Sequence, residues 1–230
     1  MDVNTDLPTP RTPQILGESV VGSPYLEERG WLHDIRSQLP NMPFATIFGS
    51  SVTHPDDSRI AEWQGLVPLL TEAGIGLISG GYEGSMSFMS ERMTAAGGVS
   101  IGICTSSLSD ELDPSKYSKL FTAPTVFNRL EALLRLGDFF VVLPGGIGTA
   151  VELVSAIWLM DRELTARKPI VVLGPHWQGL LDAILRNPLS LRQSDQSLLR
   201  ILTFVATPDD FNLTRVLAEN SVHQRDRSSQ

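Results

Sequence analysis

The sequence predicts an α/β domain built on a doubly wound, mostly parallel sheet with helices on both faces, a Rossmann-like arrangement. Three observations carry this expectation. From Phe44 onward, strand-like apolar runs alternate with segments of helical periodicity. The runs are apolar throughout instead of alternating apolar with polar, as a sheet covered on both faces requires. Finally, three glycine- or serine-rich segments, "FGSSVTHP", "SGGYEGSM" and "PGGIGT", each follow such a run. In doubly wound sheets ligands sit beyond the carboxyl ends of the strands, where the strand order reverses. Those three segments are therefore the candidate binding loops.

Residues 1–43 read as an N-terminal extension. Its first stretch contains "TDLPTPRTPQ", polar and interrupted by prolines, with little to bury, and is expected to be disordered. "YLEERGWLHDIRSQL" predicts a short amphipathic helix, because Leu26, Trp31, Ile35 and Leu39 recur near helical spacing despite Gly30. A single domain follows over 44–218. "FATIFGS" is a strand, and "DSRIAEWQGLVPLLTEAG" a helix bent or broken near Pro68. "IGLISGG" is a strand, "SMSFMSERMTAAGG" a helix, "VSIGICTS" a strand and "TVFNRLEALLRLG" a helix. Then come the strand "DFFVVLPGG", the helix "TAVELVSAIWLMDRE" opening near Thr149, the strand "KPIVVLG" and the helix "WQGLLDAILRN". A last strand, "LRILTFVAT", and a short helix, "PDDFNLTRVLAEN", end the domain, and 219–230 reads as a mobile tail.

Composition narrows the functions. At 230 residues and 42% hydrophobic, the chain suits one well-buried domain with modest extensions. A net charge of −8, from 18 basic and 26 acidic residues, opposes a phosphate backbone, and no basic run offsets it, so no nucleic-acid partner is expected. Nor is a membrane partner: no apolar run approaches spanning length, and a cytoplasmic protein is the default expectation. Cys104 is the lone cysteine, and His33, His54, His176 and His223 lack ligand-like companions, so no metal site is expected. Only Lys116, Lys119 and Lys168 are lysines, so any phosphate contact by a cation falls to arginine.

The chemistry concentrates in "VVLPGGIGTAVE". Gly145, Gly146 and Gly148 allow a ligand to approach the main chain, and the following helix would aim unpaired N–H groups at it. Such a loop alone also serves as a plain strand-to-helix turn; it is neither a Walker loop nor a dinucleotide fingerprint. Gly80, Gly81 and Gly84 repeat the pattern before another helix, and the hydroxyls of Ser50 and Ser51 could hold phosphate or base, or only shape their turn. In "TVFNRLEALLRLG", Val126, Leu130, Leu133, Leu134 and Gly137 mark the buried face, and Arg129 falls against it. A cation there needs an anionic partner, unless its stem packs and its head snorkels out, as Arg135 is expected to do. Glu152 lies one turn into the helix behind the glycines. A carboxylate in a first turn often only compensates the helix dipole, but here Arg129 and Glu152 could converge on one polar site.

Together, "FGSS", "GGYEGSM", Arg129, Asp138 and "PGGIGTAVE" resemble the LOG ("Lonely Guy") family of cytokinin riboside 5′-monophosphate phosphoribohydrolases, whose members often carry the label lysine decarboxylase. The resemblance spans roughly Phe44 to Leu217, and the pattern P-G-G-x-G-T-x-x-E runs without a gap from Pro144 to Glu152. It implies hydrolysis of the N-glycosidic bond of a nucleoside 5′-monophosphate, AMP or a cytokinin riboside monophosphate, to free base and ribose 5-phosphate. It also implies catalysis by Arg129 and Glu152, phosphate binding by Gly145, Gly146, Gly148 and Thr149, no cofactor, and a homodimer. Ser79 and Leu130 stand where the family carries glycine and lysine, and Val151 where it often carries glutamate. Two other functions fit the same fold. One is a non-catalytic nucleotide or molybdenum-cofactor carrier, which keeps the loops without needing Glu152. The other is a pyridoxal-phosphate decarboxylase, which needs a Schiff-base lysine; Lys116 and Lys119 read as loop residues and Lys168 as the opening of a strand.

Overall fold

The computed structural model describes residues 24–52, 63–108, 112–185, 201–207, 210–213 and 216. The expected disordered lead, residues 53–62 with the start of the helix expected there, most of the final helix and the tail lie outside these residues. Seven strands form one sheet: β1 (Phe44–Phe48), β2 (Gly76–Ser79), β3 (Ser100–Thr105), β4 (Lys119–Ala123), β5 (Phe139–Val142), β6 (Ile170–Leu173) and β7 (Leu202–Val205). Their order is β4-β3-β2-β1-β5-β6-β7 and every pair is parallel. The chain winds outward from β1 to β4, then returns to place β5 on the other side of β1. The reversal, and with it the crevice that such sheets offer to ligands, therefore lies between β1 and β5.

Among the described residues six α-helices connect and cover the sheet: α1 (Pro24–Gln38), α2 (Leu66–Glu72), α3 (Ser85–Ala95), α4 (Val126–Leu136), α5 (Ile147–Asp161) and α6 (Gln178–Leu185). Strand periodicity sorts the core into two layers. Phe140 and Val142 of β5 pack with Ile35 of α1, Leu133 of α4 and Leu153 and Ile157 of α5. Phe139 and Val141 of the same strand pack the opposite way, with Leu66 and Leu70 of α2 and Met89 and Met93 of α3. Pro68 sits in the first turn of α2, where its missing N–H costs no helical hydrogen bond. Helix α2 begins at Leu66, two residues before Pro68, after a turn at Gln64 and Gly65. Among the described residues no helix is long and apolar enough to cross a membrane.

Two sequence expectations need correction. "KLFTA" is not a polar loop but the edge strand β4, in register with β3 from Ile101 opposite Lys119 to Thr105 opposite Ala123. An edge strand keeps polar residues on its open side, and here Lys119 and Thr122 are exposed, which hides the apolar signal. On α4 the buried face carries Asn128, Arg129, Ala132, Leu133, Leu134 and Leu136, whereas Val126 is exposed. Of the expected stripe, Leu133, Leu134 and Gly137 are buried and Leu130 is half-buried against the core, so only Val126 falls outside it, and Arg129 lies on the buried face itself.

The carboxyl end of α4 is closed from a distance. Lys168 Nζ donates to the carbonyls of Leu134 (2.9 Å), Arg135 (3.1 Å) and Gly137 (2.6 Å), and Arg36 adds a bond to Arg135 O at 3.1 Å. Cations at the negative end of a helix satisfy carbonyls left without intrahelical partners. Burial holds the Lys168 amine down to about 8, against the pull of the Asp138 carboxylate. This cap fixes α4, and therefore Arg129 at its other end.

Candidate active site

Thr125 starts α4 in an extended conformation, its hydroxyl accepting from Asn128 N at 3.1 Å. Arg129 follows on the first turn and reaches back over the ends of β2 and β3. Its Nε donates to Ile103 O (2.9 Å) and Gly80 O (3.2 Å), and Nη2 donates to Gly80 O (3.1 Å). The guanidinium carbon lies 5.0 Å from the centre of the Tyr82 ring, a cation–π contact. Tyr82 is itself pinned: its hydroxyl donates to Thr105 O (2.8 Å) and accepts from Thr105 N (2.9 Å). The Arg129 head is thus held on three sides, and Nη1 points to Glu152 Oε1 at 3.6 Å.

Glu152 comes from α5, which opens at Ile147, two residues before the expected start, with Gly146 in an extended conformation as its N-cap. Both partners are buried, at 8% and 6% exposure for Arg129 and Glu152. Burial raises the Glu152 carboxyl from 4.5 to about 7, and the charge of Arg129 draws it partly back. At 3.6 Å the pair attracts without closing a tight salt bridge, which leaves the carboxylate able to engage something else.

Above this pair lies a cavity of about 210 Å³ lined by Gly49, Ser50, Ser51, Val52, Tyr82, Met86, Leu108, Arg129, Gly146, Ile147, Gly148, Thr149 and Glu152. It opens at the β1/β5 reversal. Thr149 is 2% exposed, and its hydroxyl has no hydrogen-bond partner among the described residues. That oxygen lies beside Gly145, and a buried hydroxyl left unpaired is costly unless a partner satisfies it. A methyl group placed on Gly146 or Gly148 would meet nothing within 4 Å, so the main chain there is open to a visitor. The start of α5 adds amide donors and a partial positive charge, the setting of an anion site.

Of the residues singled out by sequence, Ser50, Ser51, Arg129, Gly146, Gly148, Thr149 and Glu152 meet at the cavity; Gly145, Gly80, Gly81 and Gly84 do not line it. A side chain at Gly145 would press on Thr149, and one at Gly80 would overlap the Arg129 guanidinium. Gly84, with φ of +78°, lets Ser50 O approach and accept from Ser85 N at 2.9 Å. Strand β1 lies between β2 and β5, so its loop forms the middle of the site. Sequence reasoning passed over Tyr82 and His176. Tyr82 stands between glycines with no periodicity to mark it; His176 Nε2 meets Gly145 O at 2.9 Å, across a sequence gap no motif bridges.

No lysine lines the cavity. Lys116 is held by both carboxylate oxygens of Glu83 (2.9 and 2.8 Å), Lys119 donates to Gln38 at 2.7 Å, and Lys168 caps α4. These residues do not fit a Schiff base with pyridoxal phosphate. Among the described residues no group of three His, Cys, Asp or Glu side chains could hold a metal ion.

Fold and site define a class: a Rossmann-like α/β protein whose crevice at the strand reversal joins a helix N-terminus to a buried Arg–Glu pair. Within that class the chain belongs to the LOG family, because the family model described as "Possible lysine decarboxylase" matches residues 86–212. A cytokinin riboside 5′-monophosphate phosphoribohydrolase of Mycobacterium tuberculosis is 34% identical over 44% of this chain and 55% of its own length. One from Mycobacterium marinum is 29% identical over 59% of this chain and 73% of its own. Against the first of these the chain spans about half the relative's length. Two solved structures share the fold. The molybdenum cofactor binding protein of Rippkaea orientalis matches with a TM-score of 0.56 at 18% identity, covering 75% of this chain and 94% of that one. The molybdenum cofactor carrier protein of Chlamydomonas reinhardtii matches with 0.57 at 17%, covering 77% and 99%.

Proposed function

We propose that this chain hydrolyses the N-glycosidic bond of a nucleoside 5′-monophosphate, of the AMP or cytokinin riboside monophosphate type, releasing free base and ribose 5-phosphate. The observation that carries the reading is the buried Arg129–Glu152 pair, 3.6 Å apart, lining the same cavity as the glycine loop at the start of α5 and Thr149. The 5′-phosphate sits at the start of α5, on the amides of Gly146 and Gly148 and the hydroxyl of Thr149. The ribose then lies over Glu152. As the C1′–N bond breaks, its electron pair leaves with the base and positive charge develops at C1′, which an ionised Glu152 stabilises. Water adds its hydroxyl to C1′, and its proton completes the departing base. Glu152 can also position the ribose hydroxyls or take that proton. A carboxyl near 7 suits such a role at neutral pH. Arg129 keeps Glu152 partly ionised and orients the substrate.

A carrier on the same fold would use the glycine loops but gives no task to a buried carboxylate beside them. Incubation with AMP, CMP, GMP and UMP, followed by chromatography for free base, tests the proposal. Base release that disappears in Glu152→Gln supports it; tight nucleotide binding with no base release favours the carrier.

A homodimer is part of this proposal. Phe127 and Trp158, 78% and 52% exposed, flank an apolar groove between α4 and α5 that includes Leu130, Leu134 and Leu159. Leu130, where the family carries lysine, extends this apolar surface. Sedimentation of the wild type and of Trp158→Glu measures it; a wild-type monomer would refute it.

A further inference from the structure

The turn that follows β6, Pro175–Trp177, packs against the β5 loop and sends two consecutive side chains to its carbonyls. Trp177, 5% exposed, donates its indole N–H to Leu143 O at 2.9 Å and anchors the turn. His176, an exposed residue, places Nε2 2.9 Å from Gly145 O, its ring set edge-on to Trp177. A carbonyl oxygen only accepts, so Nε2 must carry the proton. Both the imidazolium and the Nε2–H tautomer meet that requirement.

This bond controls a peptide plane. No cis peptide occurs among the described residues, so the N–H of Gly146 points opposite to the C=O of Gly145. Neither His176 nor Gly145 lines the cavity, whereas Gly146 does. Holding the carbonyl toward His176 therefore turns the Gly146 amide toward the anion site. Because a glycine flanks this peptide on each side, it meets little steric resistance to flipping. Once flipped, it would present a carbonyl oxygen to the phosphate in place of an amide.

We infer that His176 is a positioning residue for the phosphate loop, fixing the Gly145–Gly146 peptide in the orientation that receives an anion. The inference rests on the phosphate placement proposed for this cavity. It assigns His176 to ground-state binding of the phosphate and not to bond cleavage.

The test is calorimetric titration of ribose 5-phosphate into the full chain as wild type, His176→Ala and His176→Gln, with thermal melts to verify folding. Glutamine keeps an N–H donor near the position of Nε2; alanine removes it. Alanine is expected to weaken binding about tenfold and glutamine less than about threefold, and KM for the nucleotide should follow while kcat stays within about twofold. Wild-type affinity in folded His176→Ala, or equal losses in both variants, would overturn the inference. A wild type that binds no ribose 5-phosphate would overturn the phosphate placement along with it. A wild type that binds ribose 5-phosphate but cleaves no nucleotide would refute only the hydrolase reading, and the binding arm would still decide the role of His176.

Discussion

Replacing Glu152 with glutamine is expected to cut turnover sharply and, above neutral pH, to stabilise the fold. The carboxyl titrates near 4.5 in an unfolded chain and near 7 here, because burial penalises its charge more than Arg129 compensates it. A carboxyl raised in this way binds its proton more tightly when folded. Its contribution to stability is therefore fully present below about 4.5 and is lost as the pH rises through about 7. The ionised side chain then costs the folded state about 3 kcal/mol, an order-of-magnitude figure from the size of the rise. Glutamine has nearly the same shape and never ionises, so Glu152→Gln avoids that cost. Urea unfolding of both proteins from about pH 4 to about pH 9 measures the difference: near zero at the acid end, growing up to neutrality and level above it. Turnover measured on the same samples should fall by about 100-fold or more. A variant less stable than wild type at pH 9, or a stability difference independent of pH, would refute the claim that burial dominates at Glu152.

Other outcomes follow from the same geometry. Arg129→Met removes the charge that lowers the Glu152 carboxyl, so the acid limb of residual kcat/KM, expected near 7 in the wild type, moves to higher pH. An unmoved limb would detach Glu152 from that titration. Thr149→Val deletes an unpaired buried hydroxyl, and should raise ligand-free stability by about 1 kcal/mol while weakening phosphate binding about tenfold. Thermal melts and calorimetry read the two effects separately. Gly146→Ala meets nothing within 4 Å and keeps an allowed backbone, so its melting temperature should match wild type while its KM rises. By contrast, Gly80→Ala drives a methyl group into the Arg129 guanidinium and to 2.8 Å from Met86 Sδ, and should lose about 1–3 kcal/mol of stability together with activity.

Much of the fold was legible because local chemistry repeats along the chain. Continuous apolar runs marked the interior strands, and glycines after them marked the turns. Strand β4 escaped because an edge strand need be apolar on one side only. The face of α4 was legible apart from Val126, because periodicity shows that a helix has a buried face but leaves the edge of that face loose at the first turn. Arg129 and Glu152 were legible as a cation and a carboxylate placed where neither is cheap to bury. The roles of Gly80 and Gly84 were not. Their value lies in making room for Arg129 and for Ser50 O, contacts made across the sheet.

By itself, the sequence determined the doubly wound class, the motif Pro144–Glu152 and the charged residues worth watching, because these depend on spacing along one segment. Only the tertiary structure decided that the β1 loop lies between the two glycine loops, that Arg129 meets Glu152 at 3.6 Å, and that burial lifts that carboxyl to about 7. It also brought His176 against Gly145. The physical reason is common to all four. Strand order, desolvation and side-chain reach belong to the packed chain, and residues far apart in sequence acquire a shared dielectric and a shared cavity only when the sheet has formed around β1.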